Sequence, residues 1–164
     1  NLRFYKFKKR DFSVMILKSK IRDVKLGKEV KIVEPVNLYE CEIGDYSFIG
    51  PFVEIQNNVK IGNRTKIQSH SFICALVEIG SNCFIGHGVM FINDVFKEGK
   101  PSGNDNSKWK KTHIANNVSL GSNATILPVN ICENVVIGAG SVVTKDISIK
   151  GIYAGNPAKL IRKL

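Results

Sequence analysis

The sequence predicts an all-β fold, a parallel β-helix, and two observations carry that prediction. First, every sixth residue is a large apolar side chain at Ile43, Ile49, Ile55, Ile61, Ile67, Ile73, Ile79, Ile85 and Phe91. A shorter run stands at Ile114, Leu120 and Ile126, and resumes after a one-residue deletion at Ile131, Ile137, Val143 and Ile149. Helices repeat at about 3.6 residues and simple strands at about 2, so neither sustains a period of six; a fixed longer period is the mark of a solenoid. Second, glycine often follows the apolar residue, as in Ile43-Gly44, Ile61-Gly62 and Leu120-Gly121. A small or β-branched residue stands four positions after it: Ser47, Val53, Val59, Thr65, Ser71, Val77, Cys83 and Val89.

Three such hexads make one triangular coil of eighteen residues. The aliphatic column fills the prism, the small residue fits near each corner, and glycine accepts the turn. Successive coils pair as parallel strands about 4.8 Å apart, and each buries its apolar face only against its neighbours. The pattern predicts this coil from about residue 24 to 150.

The opening segment does not share it. Residues 1–14 are basic and aromatic without hexads, and they are expected to be a non-native or peripheral extension of a single domain spanning 15–164. The net charge of +10 is concentrated near that end: residues 1–31 hold eleven Lys/Arg and three acids, leaving thirteen bases and eleven acids in the rest. The body is therefore nearly neutral, and no nucleic-acid partner is expected, although a nucleic-acid-binding arm stays open for the first residues. No segment reads as a transmembrane helix or a signal peptide. The four cysteines, Cys41, Cys74, Cys83 and Cys132, form no C-x-x-C pair and read as small packing residues. Unpaired thiols suit a reducing cytoplasm, which is the expected location.

The column breaks at length once, between Phe91 and Ile114. The segment 94–112 is rich in Gly, Pro, Asn, Asp and Lys, carries the single Trp109, and is predicted to be an external loop. A long loop on a rigid scaffold points to a site at its base. Residues eighteen apart lie one coil apart on one face, so Asn57, Ala75 and Asn93 form one outward column and Asn58, Leu76 and Asp94 the next. Asn93 and Asp94 at the loop root are candidate site residues, with Asn57 below them; Asn58 reads as a turn residue. His70, His87 and His113 fall in three different phases and predict no metal site. Each is either a base near neutrality or a surface corner residue. Beyond the coil, Asn156-Pro157 is expected to end the solenoid and residues 158–164 to form a short capping helix.

The hexads, the loop and the tail Ile137-Gly-Ala-Gly-Ser-Val-Val-Thr-Lys-Asp146 … Ala154-Gly-Asn-Pro-Ala-Lys159 resemble the hexapeptide-repeat acyltransferases, whose solenoid is a left-handed parallel β-helix. The resemblance covers about residues 20–164. The segment Ile85-Gly-His-Gly-Val-Met-Phe-Ile-Asn-Asp94 resembles nucleotide-sugar N-acetyltransferases that act on 3-amino sugars for surface glycans. That resemblance implies a homotrimer with sites in the clefts between prisms, and acetyl-coenzyme A as co-substrate without metal. It implies a dTDP- or UDP-linked 3-amino sugar as acceptor. Catalytic roles would fall to Asn93 and Asp94, with acceptor contacts from Asn57, His70 and His87. Coenzyme contacts would come from Gly121, Ala139, Lys145, Pro157 and Arg162, although the basic tail also reads as simply solvated. Some relatives are expected to carry a carboxylate where Ala75 stands. An amine acceptor is already a nucleophile and needs mainly positioning. A hydroxyl acceptor would need a base, for which His87 and His70 are available. O-acetylation of a sugar or small alcohol, or a non-catalytic scaffold, are the other readings.

Overall fold

The computed structural model describes residues 20–103 and 105–164, together with the backbone of Arg3–Lys6 and Ser13–Ile16. The latter two segments pair as an antiparallel ribbon with Arg3 opposite Ile16. The expected boundary after residue 14 therefore falls within a paired strand, and the remainder of residues 1–19 lies outside the described residues.

Three sheets form the solenoid, of six, eight and seven strands, parallel except for the last strand of the second. The first face carries Ile43, Ile61, Ile79, Ile114 and Ile131 in register. The second carries Ile49, Ile67, Ile85, Leu120 and Ile137. The third carries Leu38, Ile55, Ile73, Phe91, Ile126 and Val143. The chain visits the faces in that order and returns to the first. Strands are mostly two residues long with one residue in and one out, as at Lys60–Ile61 and Phe84–Ile85. The inward residues named above are buried throughout and form one continuous core. The small corner residues are buried as expected, and their hydroxyls are satisfied: Ser47, Thr65 and Ser71 donate to the carbonyls of Gly62, Gly80 and Gly86.

The three edges of the prism differ. From face one to face two the step between inward residues is always six, as in Ile43–Ile49, Ile79–Ile85 and Ile131–Ile137. From face two to face three it is also always six, as in Ile49–Ile55, Ile85–Phe91 and Ile137–Val143. From face three back to face one it varies: five at Leu38–Ile43, six at Ile55–Ile61, twenty-three at Phe91–Ile114 and five at Ile126–Ile131. The long loop and the one-residue deletion thus share one edge. The two regular edges mostly carry glycine just after the inward residue, and the coils approach closely there. A Cβ on Gly121 would lie 2.4 Å from the Ala139 nitrogen, and one on Gly86 would lie 2.7 Å from the Ser122 nitrogen. At the variable edge the same position holds Tyr39, Gln56, Cys74, Ile92, Leu127 and Thr144.

Two expectations fail at the end of the chain. Ile149 does not continue the column, being 48% exposed; Ile147 takes its place, 6% exposed and bridged to Ile131. The step from Val143 shortens to four at the variable edge. The expected capping helix is also replaced. Gly151–Gly155 adds a parallel strand beside Val135–Ile137, and Ala158–Lys163 folds back on it as an antiparallel strand. So short a segment makes a marginal helix in water, whereas a hairpin at Asn156-Pro157 pairs backbone groups that an open sheet edge would leave unpaired.

Candidate active site at the loop edge

The loop leaves and rejoins the prism at the variable edge, and its neck is closed by backbone pairing. The Lys110 N–H donates to the Asn93 carbonyl at 2.9 Å, and the Thr112 N–H to that of Leu76 at 3.3 Å. Asp94 ties the loop down from within. Its carboxylate accepts from the Ser102 N–H at 2.7 Å and the Phe96 N–H at 3.0 Å. These two N–H groups, Ser102 first, hold the Asp94 carboxyl below its ordinary pKa. Asp94 is therefore a weak base and a loop fastener as it stands. Farther out, the Trp109 indole donates to Ser102 at 2.8 Å, and Lys108 pairs with Glu98 at 2.9 Å. The loop carries a short 3-10 turn at Asn106–Lys108, capped by Asp105.

Asn93 sits half-buried beneath this neck. Its carboxamide nitrogen donates to the Ala75 carbonyl, one coil below, at 3.3 Å. The Ala75 N–H in turn donates to the Gln56 side-chain oxygen at 3.2 Å. Gln56 donates to Glu54 at 3.1 Å, and Asn37 donates to the other Glu54 oxygen at 3.1 Å. Asn57 and Ala75 lie under Asn93 as the eighteen-residue period predicts, and Ala75 is covered there, 1% exposed. Lys145 belongs to the same column two coils above Asn93, because Phe91 pairs with Ile126 and Ile126 with Val143.

The remaining expected site residues gather on a different edge. His70 and His87 both lie where face two turns into face three, in adjacent columns and both exposed. The His70 ring stacks on Phe52, with centroids 4.8 Å apart. Gly121, Ala139 and the Asn156-Pro157 turn continue this edge upward: the Gly121 N–H donates to the Ile137 carbonyl and the Gly155 N–H to Ser141. Arg162 pairs with Ile152 toward the far side of face two. Within the chain, then, face three separates Asn93, Asp94, Asn57 and Lys145 from His70, His87, Gly121, Ala139 and Pro157. His113 lies apart on face one, with Nδ1 3.6 Å from Glu78.

Among the described residues no three His, Cys, Asp or Glu side chains gather as a metal site. The cysteines are free, and burial pushes the Cys41 thiol up to about 11 and that of Cys74 to about 12. Among the described residues no helix is long and apolar enough to cross a membrane. The hydrogen-bonded set Asn37, Glu54 and Gln56 was not singled out by the sequence reasoning. Its one sequence signal is Gln56 itself, a long polar side chain at a position that the other edges mostly fill with glycine.

A prism of hexads with a polar loop root defines a class, the transferases built on hexapeptide repeats. Residues 40–75 match the bacterial transferase hexapeptide (six repeats), and residues 112–145 match the hexapeptide repeat of succinyl-transferase. Across these two stretches the chain carries the hexapeptide repeats of bacterial transferases. It is 37% identical over 125 residues to the bifunctional protein GlmU of Clostridium botulinum, a match covering 76% of this chain and 24% of GlmU. The chain thus spans about a quarter of the length of that curated relative. Among solved structures it is similar to a variant of AntD, an N-acyltransferase from Bacillus cereus in complex with dTDP and coenzyme A. The TM-score is 0.75 at 24% identity, covering 87% of this chain and 85% of AntD. A maltose O-acetyltransferase from Clostridium difficile 630 matches with TM-score 0.53 at 25% identity, covering 85% of this chain and 69% of that one.

Proposed function

We propose that this chain transfers the acetyl group of acetyl-coenzyme A to the 3-amino group of a nucleotide-linked sugar, in the cytoplasm, for surface glycan synthesis. The observation that carries the reading is Asn93, held at the root of a fastened loop with its amide nitrogen engaged by Ala75. The carbonyl end of that amide is left to receive an N–H of the attacking amine. The amine attacks the thioester carbon, the C–S bond breaks, and coenzyme A leaves as the thiol once it takes up the proton the amine loses. Positioning of amine and thioester supplies much of the rate. Backbone N–H groups near Gly121 are candidates to stabilise the oxyanion. The similarity to AntD, whose structure contains dTDP and coenzyme A, supports a nucleotide-sugar acceptor.

In the proposed homotrimer, the loop edge of one protomer faces the histidine edge of the next across the cleft. That arrangement would unite the two groups of residues that face three separates in one chain. Coenzyme contacts would come from Gly121, Ala139, Lys145, Pro157 and Arg162, and acceptor contacts from Asn57, His70 and His87, with Asp94 ordering the loop against the sugar. A second reading, O-acetylation, is favoured by one observation: His70 and His87 stand exposed on the same edge as Gly121 and Ala139, where a base for a hydroxyl would be needed.

The test is an assay of dTDP- and UDP-linked amino sugars against simple sugar hydroxyls, with acetyl-coenzyme A and with light scattering for the trimer. His70→Asn and His87→Asn should each retain turnover on an amine. Loss of all turnover in either variant, with the trimer and coenzyme binding intact, would move O-acetylation to first place.

A further inference from the structure

We propose that Glu54 and Gln56 are positioning residues that hold the Ala75 backbone against which the Asn93 carboxamide is set. The inference rests on the reading of Asn93 given above. It follows from a chain of groups, most of which can act in only one sense. A carboxylate only accepts, so Glu54 requires the nitrogen ends of both Asn37 and Gln56, and both supply them at 3.1 Å. With its nitrogen committed, Gln56 presents oxygen to the Ala75 N–H, a group that only donates, at 3.2 Å. On the other side of the same Cα, the Ala75 carbonyl, which only accepts, faces Asn93, and Asn93 answers with its nitrogen at 3.3 Å. The Asn93 oxygen is thereby directed away from the wall. An amide has two ends of opposite hydrogen-bonding sense; the Ala75 carbonyl selects which is offered, and Glu54 and Gln56 hold the residue that carries it.

The cost is visible at the far end of the chain. The Asn37 side-chain oxygen is buried without a hydrogen-bond partner among the described residues. A buried orphan acceptor is costly, and the opposite amide orientation, which would point that oxygen at Glu54, is worse. Space for the relay exists because this edge holds Gln56 where the other edges mostly hold glycine. Ala75 contributes only its backbone, and its small side chain is buried.

The bond to the Ala75 carbonyl leaves Asn93 an acceptor toward the substrate. Its role is to hold a nucleophile that carries a hydrogen, and the thioester oxyanion must find its donors elsewhere. Tyr39 lies close enough to Glu54 to feel its charge, and Arg22 and Glu40 act in turn on Tyr39. Burial, and next the Glu54 charge, raise the Tyr39 pKa, so that phenol stays neutral through the range used below; Arg22 lies over the Tyr39 ring at 4.9 Å.

The experiment uses the full chain and two variants. Gln56→Leu cuts the relay. Turnover should fall about tenfold with the Michaelis constant for acetyl-coenzyme A unchanged, as expected when orientation rather than binding is lost. Gln56→Glu places two carboxylates together, which repel when both are ionised and share a proton as the pH falls. The ratio of variant to wild-type turnover should therefore rise about threefold or more between about pH 8 and about pH 5.5. A purely structural role for Gln56 predicts a flat ratio. In parallel, the side-chain amide resonances of 15N-labelled Asn93 should shift in Gln56→Leu and be restored toward wild type in Gln56→Glu only at the lower pH. Unchanged Asn93 resonances in Gln56→Leu, or a flat ratio in folded Gln56→Glu, overturns the relay. Absence of wild-type transfer to every acceptor overturns the proposed function, and the resonance measurement still decides the relay.

Discussion

Two edges of this prism are built from the same hexad and behave in opposite ways. The edge between faces two and three keeps a step of six in every coil, with Gly86 and Gly121 pressed against the backbone of the coil above. The edge between faces three and one takes steps of five, six, twenty-three and four, and carries side chains such as Gln56, Ile92 and Leu127 at the glycine position. Close backbone contact and tolerance of insertion exclude one another. Where the coils touch at glycine, an added residue has nowhere to go; where side chains intervene, a loop can leave and return without disturbing the register. The candidate residues Asn93 and Asp94 stand with the loop at the permissive edge, while His70, His87, Gly121 and Ala139 stand on the fixed ladder of corners at the rigid one.

The largest effect expected from this contrast is catalytic. Asn93→Ala should lower turnover about a hundredfold, with a smaller change in the Michaelis constants, if Asn93 orients reacting atoms. Steady-state kinetics with both substrates varied checks it, and equal losses in binding and turnover would make Asn93 an ordinary contact.

Next in size is the insertion test. One glycine added between Ser122 and Asn123, on the rigid edge, should prevent cooperative folding, because it shifts a strand by one residue and turns its apolar side outward. One glycine added between Leu127 and Pro128, on the permissive edge, should cost only about 1 kcal/mol or less. Thermal melts followed by circular dichroism compare them directly. Gly121→Val belongs to the same series and should cost about 3 kcal/mol, since its Cβ would sit 2.4 Å from the Ala139 nitrogen.

A smaller effect concerns the loop alone. Asp94 has its pKa lowered by the Ser102 and Phe96 N–H groups, so its hold on the loop is complete above the ordinary aspartate pKa. That hold is lost as the pH falls through the lowered folded value. Amide exchange at Ser102 and Phe96 should therefore speed up in acid, and Asp94→Asn should show the faster exchange at neutral pH, with little change in global melting. The smallest effect is expected on face one. The Lys25–Glu42 pair, at 2.8 Å, is exposed on both sides, and Lys25→Ala should leave the melting temperature unchanged within error.

Much of this architecture was legible along the chain. The six-residue column named the inward residues from Ile43 to Val143, the small residues named the corners, and the interruption after Phe91 named the loop. The eighteen-residue period also put Asn57 and Ala75 under Asn93. These succeed because a solenoid stacks only neighbours, so sequence separation translates directly into spatial separation.

The tertiary structure alone decided the rest. The last coil shortens, so that Ile147 and not Ile149 reaches the core, and the tail pairs as a strand because an open sheet edge offers partners that an isolated helix lacks. His70 and His87 differ in phase yet share an edge, and both stand across face three from Asn93. The orientation of the Asn93 amide is set by the Ala75 carbonyl, on a residue whose N–H is held by Gln56 and, through it, by Glu54. Periodicity fixes where a residue stands on the prism; which end of its side chain faces out is decided by partners in the adjoining coils, and no repeat pattern records them.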